Sequence, residues 1–180
     1  MSAKADTVTV YFNGGYDFTD HGVEIPPYQG TINGHSAEFY CVDYSHSIYP
    51  NTSWQANVTQ LSASANYSGT RLDNATDYME IAWLLDQSLV ATNKTTQAEL
   101  QWAVWSFSHG GNPYGTNSTL LTEALNAVHN GFTDYNWEIL TPTGSYGQEF
   151  FVRTPEPSTL LMLSGGLIGL FFLRRRQHVC

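Results

Sequence analysis

Residues 95–107 read TTQAELQWAVWSF. On a helix, Leu100, Ala103, Val104 and Phe107 mark one face while Ala98, Trp102 and Trp105 mark the other, so the segment is apolar nearly all round. Such a helix is buried. Gln101 stands in the middle of it, and an amide with four hydrogen-bonding positions costs free energy among tryptophans unless each position is satisfied.

On either side of this helix the hydrophobic period changes. Upstream, residues 7–12 alternate around Val8, Val10 and Phe12, and Asn13-Gly14-Gly15 supplies a turn. Ile25-Pro26-Pro27 reads as extended, Ile32-Asn33-Gly34 as a turn, 37–44 as an aromatic-rich strand carrying Cys41, and 54–61 as another alternating strand. After Asp73 the spacing of Tyr78, Ile81, Ala82, Leu85 and Leu89 is helical, with Thr76 or Asp77 as its N-cap. Thr96-Gln97-Ala98-Glu99 has the capping-box pattern that opens the second helix. A third helix is expected over about 119–128, with Leu121, Leu125 and Val128 inward and Gly131 as its stop. Residues 137–140 and 149–153 read as closing strands around a turn or loop at 141–148. Strands, then helices, then strands predict an α+β fold: a β-sandwich or barrel-like core interrupted by a helical insertion of about three helices.

The chain has 180 residues, enough for one domain with a proper core. Acidic residues number 16 against 7 lysines and arginines, for a formal net charge of −9. Three of those seven bases are the run Arg174, Arg175 and Arg176, which leaves the folded part strongly acidic. Phosphate binding needs a basic patch, so a nucleic-acid partner is excluded from the expectations.

The C-terminal stretch 154–176, TPEPSTLLMLSGGLIGLFFLRRR, combines a turn-forming Pro155-Glu156-Pro157 with an uncharged apolar run over 160–173 and the three arginines. At about 1.5 Å per residue the run is a marginal span of a bilayer. Arginines after it place that end in the cytoplasm and the residues before Pro155 outside. The segment closely resembles the PEP-CTERM sorting signal of Gram-negative bacteria, through Pro155, Glu156, Pro157, the Gly165-Gly166 pair, and Arg174, Arg175 and Arg176. That resemblance implies export, retention in the inner membrane through a C-terminal apolar helix, and processing by an exosortase-type enzyme, with later release to the cell surface or an exopolysaccharide matrix. Gln177 to Cys180 continue past the arginines, where such tails commonly stop. Ala3-Lys4-Ala5 before Asp6 has the small-x-small pattern of a signal-peptidase site. The expected organisation is therefore a signal-peptide remnant at 1–5, an ectodomain at 6–153 and a sorting tail at 154–180.

Cys41 and Cys180 are the chain's two cysteines. Removal of the tail would leave Cys41 alone in an exported protein, where thiols are normally paired or avoided. A buried, inert thiol in a non-covalent structural or exopolysaccharide-associated protein is one account. Phe39-Tyr40-Cys41-Val42-Asp43 followed by Gln101-Trp102-Ala103-Val104-Trp105 supplies another, because the pair resembles the thioester domains of bacterial surface proteins, in which a strand Cys and a helix Gln join through an internal thioester. In that family the glutamine lies in a Thr-Gln-x-Ala pattern; Gln101, Ala103, Val104 and Trp105 match it, whereas Leu100 occupies the Thr position. Gln97 is the second candidate, with Glu99 where Ala belongs. The resemblance implies that the Cys41 thiolate attacks the Gln101 carbonyl and expels ammonia, giving an acyl donor without any cofactor.

Phe39, Tyr40, Trp102 and Trp105 are expected to keep water out, and Asp43 to assist proton transfer. The partner would be an amine-bearing surface ligand or an extracellular polysaccharide, and the protein would act once rather than as an enzyme. A cysteine enzyme built from Cys41, Asp43 and His46 or His109 is a lesser alternative, since no local signature surrounds Cys41. His21, His35, Asp43 and His46 match no compact ligand spacing, so no metal is expected.

Overall fold

The computed structural model describes residues 6–108, 114–115 and 117–154. Eight strands and three helices follow in the order β1 (Thr7–Gly15), β2 (Phe18–Asp20), β3 (Val23–Ile25), β4 (Tyr28–Ile32), β5 (His35–Cys41), β6 (Thr52–Gln60), α1 (Ala75–Val90), α2 (Lys94–Trp105), α3 (Ser118–His129), β7 (Trp137–Pro142) and β8 (Phe150–Arg153). Six of the strands close an antiparallel barrel in the order β1-β4-β5-β8-β7-β6, and β2 pairs with β3 as a separate ribbon. The helices are inserted between β6 and β7. The fold is α+β with a barrel core. The expected C-terminal apolar helix, with Pro155, Glu156, Pro157 and Arg174 to Arg176, lies outside the described residues, as do residues 1–5. Among the described residues no helix is long and apolar enough to cross a membrane.

Two clusters make the core, and strand alternation assigns side chains between them. Phe39 and Cys41 of β5, Leu140 of β7, and Phe150 and Val152 of β8 join Val10, Phe12, Trp54 and Ala56 in the barrel cluster. Tyr40, Ile139 and Phe151, one residue out of step, face the other way and pack with Tyr78, Ile81, Leu84 and Leu85 of α1. At these positions the three strands are buried on both faces, which is why the sequence shows FYCV, IL and FFV as continuous apolar runs. Helix α2 sits where the clusters meet: Leu100, Ala103 and Val104 belong to the α1 cluster, and Ala98, Trp102 and Trp105 to the barrel cluster. Its two apolar faces have two destinations.

Local signals explain the turns and starts. Asn33 and Gly34, with φ of 51° and 83°, form the tight hairpin between β4 and β5. A Cβ at Gly30 would collide with the Tyr11 carbonyl and the Phe39 ring, so glycine lets β4 lie against both. The helix caps differ from expectation. Asn74, Asn93 and Asn117 accept from Thr76, Thr96 and Thr119 N–H groups at 2.9, 2.8 and 3.1 Å. Each helix therefore starts before the threonine that was expected near its cap, because an asparagine side chain reaches the free N–H groups of the first turn. Other differences are of register. Strand β5 stops at Cys41 instead of continuing to Tyr44, and the Val42 N–H donates to the Glu149 carbonyl at 3.1 Å. In α3 the fully buried residue is Ala124, while Leu125 is 38 % exposed. Beyond β3, the Pro26–Pro27 bond is cis.

Candidate functional site

Cys41 ends β5, and α2 crosses beside it. The Gln101 side-chain amide donates through Nε2 to the Cys41 carbonyl at 2.8 Å, and both residues are almost fully buried. The Cys41 Sγ lies 3.4 Å from the Asp43 carbonyl. Burial, foremost, pushes the thiol up to about 12, and the charges of Asp43 and Glu149 add to this. The Asp43 backbone and the Trp105 indole favour the thiolate and oppose the rise. The Trp105 indole faces the sulfur, a weak acceptor, and its Nε1–H meets no oxygen or nitrogen acceptor among the described residues.

The surroundings are aromatic. Trp102 and Trp105 pack edge to face at 4.8 Å, and Tyr44 contacts both at 5.8 and 5.2 Å. Trp102 donates from Nε1 to Asp20 at 2.7 Å, which pins it to the β2-β3 ribbon. It also lines an open cavity of about 690 Å³ with Phe18, His21, Ala98 and Tyr114. Trp102 thus belongs both to a cavity wall and to the apolar cluster around Cys41. Phe39 shares that cluster, as does Phe150, the cross-strand partner of Cys41. Tyr40 does not: strand alternation turns it to the α1 side, against Trp137 at 5.4 Å. Tyr44 takes a place that sequence reasoning missed, and it is reached because the chain leaves strand geometry after Cys41.

Asp43 is buried, but its carboxylate turns away from the ladder. It accepts from Ser45 Oγ at 2.7 Å, lies 2.8 Å from His46 Nδ1 and 3.4 Å from Arg71 Nε. Its main chain meets the thiol, and Gln148 Nε2 donates to the Asp43 main-chain oxygen at 3.1 Å. The Asp43, His46 and Arg71 group lines a separate cavity of about 270 Å³ with Ser45 and Ser108. Glu38 stays on the outer face, where Gln29 and Tyr40 donate to it. Gln97 donates to the Ala91 carbonyl at 3.2 Å, at the start of α2 and away from Cys41. His109 lies outside the described residues. Among the described residues no three histidine, cysteine or carboxylate side chains converge as a metal site. His21 stacks on Tyr114 and His35 opens β5, both apart from the Asp43–His46 pair.

Comparison with known proteins bears first on destination. The PEP-CTERM protein-sorting motif is matched over residues 153–176, which implies export, membrane-associated sorting and processing by an exosortase-type enzyme. The ectodomain is similar to the N-terminal thioester domain of a surface protein from Clostridium perfringens. That likeness has 14 % identity and a TM-score of 0.43, and covers 83 % of this chain and 99 % of the other. So distant a likeness leaves the site to be read from this chain's own geometry. No curated protein matches the chain.

Proposed function

We propose that this exported protein attaches covalently to its surroundings through an internal thioester between Cys41 and Gln101. The contact that supports it is the 2.8 Å hydrogen bond from the Gln101 amide to the Cys41 main chain, which fixes the Gln101 side chain beside the cysteine where both residues are buried. The Cys41 thiol adds to the Gln101 δ-carbonyl, its proton passes to the amide nitrogen, and ammonia leaves. The aromatic shell of Trp102, Trp105, Tyr44 and Phe39 keeps water from the product. An amine or hydroxyl on a surface ligand then takes the acyl group as an amide or ester and frees the thiol. The protein acts once, as a cross-linker. Inner-membrane retention by the tail, followed by release to the cell surface or matrix, is the setting in which such a bond serves adhesion.

Intact mass of the purified ectodomain tests this. Loss of ammonia lowers the mass by ~17 Da, and methylamine then leaves an N-methyl amide on Gln101 with Cys41 free for alkylation. An unshifted mass with an alkylatable Cys41 after unfolding overturns it, and leaves Gln101 as a buried amide satisfied by strand backbone beside an inert thiol.

A further inference from the structure

The core holds two buried indole N–H groups without acceptors among the described residues, those of Trp54 and Trp105. An indole nitrogen is a donor and nothing else, so a dry one without a strong acceptor costs free energy. For Trp105 the location is informative. It is 2 % exposed and follows Gln101 by four residues, so the two occupy one face of α2. A helical side chain leans back toward the preceding turn, and that is the turn on which Gln101 stands. The same indole borders the Cys41 sulfur, while the Gln101 amide holds the Cys41 carbonyl. The thiol and a donor without a strong acceptor thus lie beside the residue that carries the acyl carbon, all three residues being buried.

Resting on the thioester reading above, we propose that the Trp105 Nε1–H is the oxyanion donor of this site, binding the oxygen of the Gln101 acyl group as it becomes tetrahedral. In the forming step the thiol adds, the carbonyl π pair moves onto oxygen, and the indole N–H stabilises that charge. The carbonyl then re-forms as ammonia departs with the thiol proton. In the opening step the same donor meets the oxyanion made by the incoming amine, and Cys41 leaves as the thiol. A fixed donor in a low-dielectric site acts where the charge develops and needs no rearrangement at the moment of reaction.

The test follows ammonia loss by mass in freshly refolded ectodomain. Trp105→Phe keeps the ring and removes the donor, and is expected to slow ammonia loss about a hundredfold. Trp54→Phe removes the other unspent indole from the same cluster and is expected to leave the rate unchanged. A separate readout uses indole-labelled wild type: the Trp105 Nε1–H resonance moves downfield when the thioester forms, returns on methylamine opening, and does not move in Cys41→Ala. That measurement stands even if Trp105→Phe fails to fold. Equal rates in wild type and Trp105→Phe, or an indole resonance indifferent to the acyl group, overturn the proposal while leaving the thioester in place. Absence of ammonia loss from wild type overturns both.

Discussion

Tyr78 of α1 donates its hydroxyl to Glu149 across 2.5 Å, in the seam between the helices and the barrel. Glu149 is fully buried and also accepts from Thr141 Oγ1 at 2.5 Å and from the Arg71 N–H at 3.0 Å. Burial raises its carboxyl, while these three donors pull it down. Tyr78→Phe takes away one donor and leaves a buried acceptor short of a partner, at an expected cost of about 1–3 kcal/mol. Urea unfolding followed by tryptophan fluorescence measures it, and an unchanged midpoint would show that the seam does not depend on this bond.

Asp86 gives the protein a pH dependence. Burial first, and the neighbouring Asp134 second, raise its carboxyl to about 6, although Trp137 Nε1 donates to it at 3.1 Å and Arg153 lies 3.8 Å away. In the unfolded chain it ionises near its ordinary value of about 3.9. Between those values the folded state holds a proton that the unfolded state gives up, so stability falls as pH rises through that window and the loss is complete above about 6. Glu149, Glu80 and Glu138 are raised in the same direction. The melting temperature is therefore expected to be higher near pH 5 than near pH 7.5, by a few degrees, and Asp86→Asn to flatten part of that slope.

The two glutamines of α2 can be told apart. Gln101→Ala is expected to abolish ammonia loss, whereas Gln97→Ala, whose amide serves the Ala91 carbonyl, leaves it intact. Mass measurement of the two variants decides, and the opposite pattern would move the acyl donor to Gln97.

Gly30→Ala probes the barrel wall. The added methyl meets a backbone carbonyl on β1 and a ring from β5, and backbone cannot step aside as a flexible side chain can. The expected cost is about 3 kcal/mol, read as a lower denaturation midpoint or a loss of soluble protein.

Much of the architecture was legible in residues 95–107. The split of Leu100, Ala103 and Val104 from Ala98, Trp102 and Trp105 is the split between the two core clusters. The helix count and the β-α-β order were legible for the same reason: periodicity reports which faces are buried. The choice between sandwich and closed barrel was not, because the pairing of β1 with both β4 and β6 joins segments far apart in sequence, and alternation says nothing about partners. The cap asparagines were passed over for threonines that sit within the first turn instead. At the site, a thioester between Cys41 and Gln101 was expected from the resemblance of their flanking residues; the structure joins the Gln101 amide to the Cys41 main-chain carbonyl. Tyr40 was expected beside the thiol and faces away, since strand alternation separates adjacent residues. Glu149 gave no signal beyond being an acid next to an apolar run, and the unspent indole of Trp105 is a property of packing that no one-dimensional pattern records.

Strand β8 has β5 on one side and β7 on the other, and it is the last element before the sorting motif. A pull on the chain beyond Arg153 is handed to β8 and divided between two ladders, one of them pairing Phe150 with Cys41. Mechanical load from the C-terminal end thus reaches the cysteine strand directly, and a Cys41–Gln101 bond would carry part of that tension across into α2.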